Sequence, residues 1–286
     1  MSLRLMKTSD ADAVYDIMGA AFDDLSQRLG HGADPPPANR APGLGRIRHL
    51  IDTDPEGAWV TETDGVVDGG ALALLREGLW GLSLLVVQPG AQSSGQGSAL
   101  LRAAVDYGAD ARGGIILASE DSRALRAYWR TGHALRPCFD ALGVLEDPPP
   151  MPEAVRPGRW PEDAPIVDAA SRAVRGAAAS VDITPSLATG SKLWIHADGG
   201  FSSSGRGGVR MVAAHDPLAA RELLRAAVLA AGAGGQRVYV GFIEAQQQWA
   251  FDELLSLRLQ LRPGGAIAVR GEVGPLYPYL PSGAYL

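Results

Sequence analysis

The chain has 286 residues, 46% hydrophobic and 20% charged, enough for one large core or two of ordinary size. Its formal net charge is -6, with only two lysines and no Lys/Arg block, so no nucleic-acid footprint is expected. One cysteine, Cys138, excludes an intrachain disulfide and a zinc cluster of thiolates, and reads as a reduced thiol near a strand.

The N-terminal stretch lacks the apolar core of a signal peptide, and no apolar run approaches the length of a bilayer span. The expectation is a soluble, cytoplasmic protein without membrane contact. Asp10–Phe22 has helical spacing, with Ser9 or Asp10 as its cap. Ser26–Leu50 is rich in Pro and Gly and reads as a long loop, a candidate for substrate recognition. Gly57–Thr63 and Val67–Arg76 read as two strands around the turn Thr63–Gly65. Trp80–Val87 is apolar almost throughout and reads as a central strand. Then follow a helix over Ser98–Ala109, a buried strand over Gly114–Ala118, and a helix over Ser122–Thr131 closed by Gly132. The sum is a mixed α/β layer, an antiparallel meander first and βα units after it.

Glu146–Pro165 is dense in proline, which disfavours helix and central strand alike. A domain boundary is expected there: residues 1–146, a linker over 147–165, and 166–286. The two halves read as diverged copies. "AWVTETDG" from Ala58 is echoed by "LWIHADGG" from Leu193, and "LLRAAV" from Leu100 recurs from Leu223.

Between the strand ending at Val87 and the following helix lies "QPGAQSSGQGS". A helix start exposes unpaired amides at the positive end of its dipole, and glycines let an anion approach them. The dinucleotide fingerprint fails, because Gly95-Gln96-Gly97 is followed by Ser98, Ala99 and Leu100. A Walker loop fails too; its near-match "GFSSSGRG" from Gly200 lacks the Lys-Ser/Thr pair and reads as a hairpin turn. Gln92-Ser93-Ser94-Gly95-Gln96-Gly97 fits the pattern Q/R-x-x-G-x-G/A. Downstream, Ala124, Tyr128 and Gly132 stand in the register A-x-x-x-Y-x-x-x-G, on a segment that opens with Ser122 and includes Leu125.

Together these motifs resemble the GNAT superfamily of N-acetyltransferases, and the whole chain resembles its tandem members. The resemblance implies an α/β fold of two tandem GNAT-like domains, each a mostly antiparallel sheet flanked by helices. It implies acetyl-CoA as cofactor and CoA as product, with a small-molecule or peptide amine as acceptor. Backbone groups of Leu85 and Val87 would meet the pantetheine amides. Residues Gln92, Ser93, Ser94, Gly95, Gln96, Gly97 and Ser98 would surround the pyrophosphate, Ser122 would approach the pantetheine arm, and Tyr128 would protonate the leaving thiolate. The second half has "VAAHDPL" before its helix in place of the loop, so one cofactor per chain is expected. A non-catalytic acyl-CoA-binding sensor or interaction module is the alternative. The chain could also work as a homodimer.

Glu62, Glu120 and Asp121 read as surface charges before they read as a general base, and the five histidines lack metal-ligand spacing. Trp194, Tyr277, Tyr279 and Tyr285 could line an acceptor pocket or simply pack. The Leu286 carboxylate could serve as a base in the first domain, against a tail that packs on the second.

Overall fold

The computed structural model describes residues 1–30, 39–91, 95–205 and 207–286. The chain divides into two compact units, Met1–Leu75 with Trp80–Ala111 and Arg76–Leu79 with Arg112–Leu286. The first holds β1 (Ser2–Leu5), α1 (Ala11–Arg28), α2 (Ala41–Thr53), β2 (Ala58–Thr63), β3 (Val66–Arg76), β4 (Leu79–Val87) and α3 (Gln96–Tyr107), except for the turn joining β3 to β4. Its strands lie in the order β1-β2-β3-β4. β2 is antiparallel to β1 and β3, with Val60 opposite both Arg4 and Gly70. The β2–β3 turn has Asp64 and Gly65 at φ 52° and 81°, as a two-residue hairpin requires.

Residues 79–84, 86 and several inward residues of α3 (Leu100, Leu101 and Ala104) are buried, so α3 closes over the sheet. Trp80 Nε1 donates to Ala104 O at 2.9 Å. Two local expectations change. Asp10 precedes α1, but its carboxylate accepts from Lys7 N (2.7 Å) and Arg4 instead of capping the helix. Much of the expected recognition loop is helix α2, because a proline in a first turn costs no hydrogen bond and Ile47, Leu50 and Ile51 form a buried stripe. Residues 31–38 of that stretch, His31 among them, lie outside the described residues.

The second unit holds β5 (Gly113–Ala118), α4 (Ser122–Arg130), β6 (Ala134–Val144), β7 (Val155–Pro157), α5 (Ala164–Val174), α6 (Ser180–Ala188), β8 (Lys192–His196), β9 (Phe201–Gly205), β10 (Gly208–Ala213), α7 (Pro217–Ala231), β11 (Arg237–Glu244), α8 (Gln248–Ser256), β12 (Gln260–Gly271) and β13 (Tyr279–Leu280). Strand order is β5-β12-β6-β11-β10-β9-β8-β7, with β13 on β10. Most of "GFSSSGRG" is β9, and the turn into β10 carries Gly207 at φ 72°.

The described elements β1 to β6 and β7 to β12 follow one pattern: strand, two helices, three strands, helix, strand, helix, strand. The last strands are exchanged. β12 pairs with β5, with Ala268 opposite Ile116, whereas β6 pairs with β11, with Ala141 opposite Val240. β6 and β12 also pair with each other. This exchange is why the compact units divide at residues 111 and 112 and the proline-rich stretch falls inside the second unit. Proline is tolerated in β7 because, among the described strands, that strand pairs only with β8. The core of this unit gathers Leu223, Leu224 and Val228 of α7 with Val240 and Ile243 of β11 and Leu254 of α8.

Candidate active site

In the first unit, β4 delivers the chain to the start of α3. Leu85 and Val87 are half-buried, alternating with buried Leu84 and Val86. Gln88 N donates to Asp68 O (2.8 Å), and Ala91 N to Gln88 O (3.0 Å). Gln92, Ser93 and Ser94 lie outside the described residues. Gly95 sits at φ 88°, a left-handed conformation that favours glycine, and α3 begins at once.

Ala99 N donates to Gly95 O at 3.0 Å, which leaves the amides of Gln96, Gly97 and Ser98 ahead of that bond. Among the described residues no side chain caps them. The Gln96 side chain turns inward instead and donates to Asp68 Oδ2 at 2.7 Å. Burial works against the Asp68 charge, but hydrogen bonds, that of Gln96 included, hold its carboxyl below the usual value. Gly97 is different from Gly95. Among the described residues a Cβ there would meet only Val87 Cγ2, at an ordinary 3.7 Å. Neither backbone conformation nor packing among the described residues calls for glycine at 97. What a side chain would fill is open space beside uncapped amides at the positive end of a helix, which suits an anion.

In the second unit, α4 starts with Asp121 as N-cap, its Oδ1 accepting from Arg123 N at 2.9 Å. Ser122 is the first helical residue and is exposed. Tyr128 is the buried residue of this short helix. Burial, and then the charge of Asp121, push its phenol pKa up, so it stays protonated at neutral pH. No hydrogen-bond partner for the phenol is found among the described residues. The Tyr128 carbonyl accepts from Thr131 N (3.0 Å) and Thr131 Oγ1 (2.7 Å) as the helix ends, and Gly132 follows at φ 84°.

Thr131 Oγ1 also lies 2.9 Å from His133 Nδ1. The single hydroxyl proton goes to the Tyr128 carbonyl, which assigns the imidazole proton to Nδ1. Burial, and then Arg270, lower the His133 pKa to about 4, so the ring is neutral at pH 7 and supports the helix end.

Other expected residues have partners or surroundings of their own. Glu62 accepts from Arg4 Nε at 2.8 Å. Asp121 is occupied as a cap and by Arg123 Nη2 at 2.9 Å. Burial pushes the Cys138 thiol up to about 12, so it is no nucleophile at neutral pH. Among the described residues no His, Cys, Asp and Glu group could hold a metal, and no helix is long and apolar enough to cross a membrane. Tyr279 and Tyr285 are buried, and Trp194 packs against the α7 core. Leu286 O accepts from the buried Arg175 Nη1 at 2.6 Å inside the second unit.

Residues 19–133 match the Acetyltransferase (GNAT) family. This segment is a GNAT domain. It takes in α3 with the loop before it, and α4 with Tyr128. No curated protein matches the chain significantly.

Among solved structures, a proposed acetyltransferase from Pyrococcus horikoshii is similar at TM-score 0.79 and 14% identity, over 100% of this chain and 95% of that one. A GCN5-related N-acetyltransferase from Sphaerobacter thermophilus is similar at TM-score 0.59 and 16% identity, over 94% and 95%. A tandem GNAT protein from the clavulanic acid biosynthesis pathway is similar at TM-score 0.57 and 16% identity, over 94% and 98%. At these identities the likeness is one of fold, and it runs through both halves of the chain. Family and GNAT fold together support acyltransferase chemistry.

Proposed function

We propose that the chain is an N-acetyltransferase that moves the acetyl group of acetyl-CoA to a primary amine of a small molecule or peptide by direct attack. The observation that carries this reading is the first turn of α3: among the described residues three amides have no side-chain cap, and no neighbour calls for the glycine beside them. The pyrophosphate would lie there, with the amides of Gln96, Gly97 and Ser98 as donors. Backbone groups at Leu85 and Val87 would take the pantetheine amides. When bound, acetyl-CoA supplies an activated acyl thioester.

In the reaction the acceptor nitrogen bonds to the thioester carbonyl carbon, the C–S bond breaks, and the sulfur leaves with its electron pair. Tyr128 would give its proton to the departing sulfur: burial holds its phenol protonated at neutral pH, and it has no competing partner among the described residues. The nitrogen loses a proton to solvent or base, which balances the one delivered to CoA.

The alternative reading, an acyl-CoA-binding module without turnover, draws on the degenerate second repeat, where "VAAHDPL" stands before α7 in place of a Q-x-x-G-x-G loop. CoA release from acetyl-CoA across a panel of primary amines decides between them. Release with at least one amine, lost in Tyr128→Phe, is expected. Tight acetyl-CoA binding with no release from any amine would leave the binding module as the better account.

A further inference from the structure

The repeated order of elements sets β10 in the place of β4, α7 in that of α3, β11 in that of β5 and α8 in that of α4. Among the described strands and α-helices, only β13 has no counterpart. β10 and β11 run parallel and pair at Gly208 and Tyr239, near the start of each. Farther along β10, Val212 and Ala213 pair instead with Leu280 and Tyr279 of β13, which also touches β11. The opening between the two parallel strands therefore holds a strand of the chain's own C-terminal segment.

That segment is built in. Gln247, 1% exposed, donates from Nε2 to Leu276 O at 2.6 Å, while its Oε1 accepts from Trp249 Nε1 at 2.7 Å and Tyr279 N at 3.3 Å. Leu276 N donates to Val174 O at 2.8 Å, and Arg175 Nη1 donates to Tyr285 O at 2.9 Å. Tyr279 and Leu280 are 2% and 1% exposed.

The start of α7 is closed as well. The Asp216 carboxylate accepts from Leu218 N (2.8 Å) and Ala219 N (3.1 Å), and Pro217 has no amide to offer. In α8 the residue at the Tyr128 position is Leu254, fully buried in the core.

We infer that the second repeat is sealed against acyl-CoA by groups of the same chain: β13 occupies the edge of β10, Asp216 occupies the helix start, and one chain binds one acyl-CoA. The stoichiometry rests on the proposed reading of β4 and α3; the occupancy of the opening does not.

Two measurements on the full chain test this. Residue-level hydrogen exchange should show Tyr279, Leu280, Val212 and Ala213 exchanging as slowly as the β5–β12 pair, with and without saturating acetyl-CoA. Fast exchange there, or protection lost when acetyl-CoA is added, overturns the inference. Calorimetric titration with acetyl-CoA should give one site per chain, abolished in Gly97→Glu. A second site, or a site that survives Gly97→Glu, also overturns it. Absence of any binding would refute the function proposed for α3, and the exchange data would still decide whether β13 fills the opening.

Discussion

α3 and α7 share the run "LLRAAV", occupy equivalent places in the two repeats, and begin in opposite ways. Both starts present unpaired amides at the positive end of a dipole, which something must satisfy. At α7 the answer is internal, a carboxylate one residue before the helix and a proline that removes a donor. At α3 a left-handed glycine turns the chain into the helix without supplying a cap, and Gly97 keeps the approach clear. A binding site is thus switched off here by replacing its ligand with side-chain and main-chain groups, with the helix itself retained.

The contrast can be broken at several points. Gly97→Glu puts a charge and a side chain into the open space, and should weaken acetyl-CoA binding by roughly two orders of magnitude or more. Its melting temperature should stay near that of the parent, because nothing among the described residues crowds a Cβ there. Tyr128→Phe should lower kcat about 100-fold or more with little change in acetyl-CoA affinity; unchanged turnover would remove the phenol from the mechanism.

His133 bears on the same helix end. Its folded pKa of about 4 lies below the ordinary 6.5, so the unfolded chain takes up a proton first as pH falls. Stability should therefore drop between pH 6.5 and 4, by up to about 3 kcal/mol from this group. Denaturant melts of His133→Gln across that window should show a shallower slope.

Gly95→Ala forces a Cβ into a left-handed conformation and should cost about 1 kcal/mol or more. Gly97→Ala should cost nothing in stability and still weaken acetyl-CoA; equal binding by that variant would count against the amides as the anion site. Asp216→Ala should cost about 1 kcal/mol through its lost cap and create no second acetyl-CoA site, since β13 stays in place.

Much of this was legible in the sequence. The meander, the central strand to Val87, the left-handed Gly132 and the helix bearing Tyr128 follow from periodicity and turn chemistry, which are local. Asp216-Pro217 was legible as the absence of a loop, though its side-chain cap was not. α2 was hidden behind Pro42 and Gly43, whose usual meaning in a loop is reversed in a first turn and against Tyr15. β13 is two residues long in a proline-rich stretch, too short for any alternation to register. Its place depends on Gln247 and on an edge of β10 that only the assembled sheet defines. The proline-rich stretch does fall between the two repeats, after β6 and around β7, but proline density marks where the path is stiff and says nothing of which strands pair across it.

The exchange of β6 and β12 also bears on how the protein is made. β5 at residues 113–118 meets β12 at residues 260–271, so a growing chain holds β5 without this neighbour until most of the sequence has been synthesised. Pairings of such sequence separation close slowly, and an uncovered strand edge is a template for association with other chains. A fragment cut within the proline-rich stretch would carry that exposed edge permanently, so its solubility would measure the strand exchange more directly than its activity.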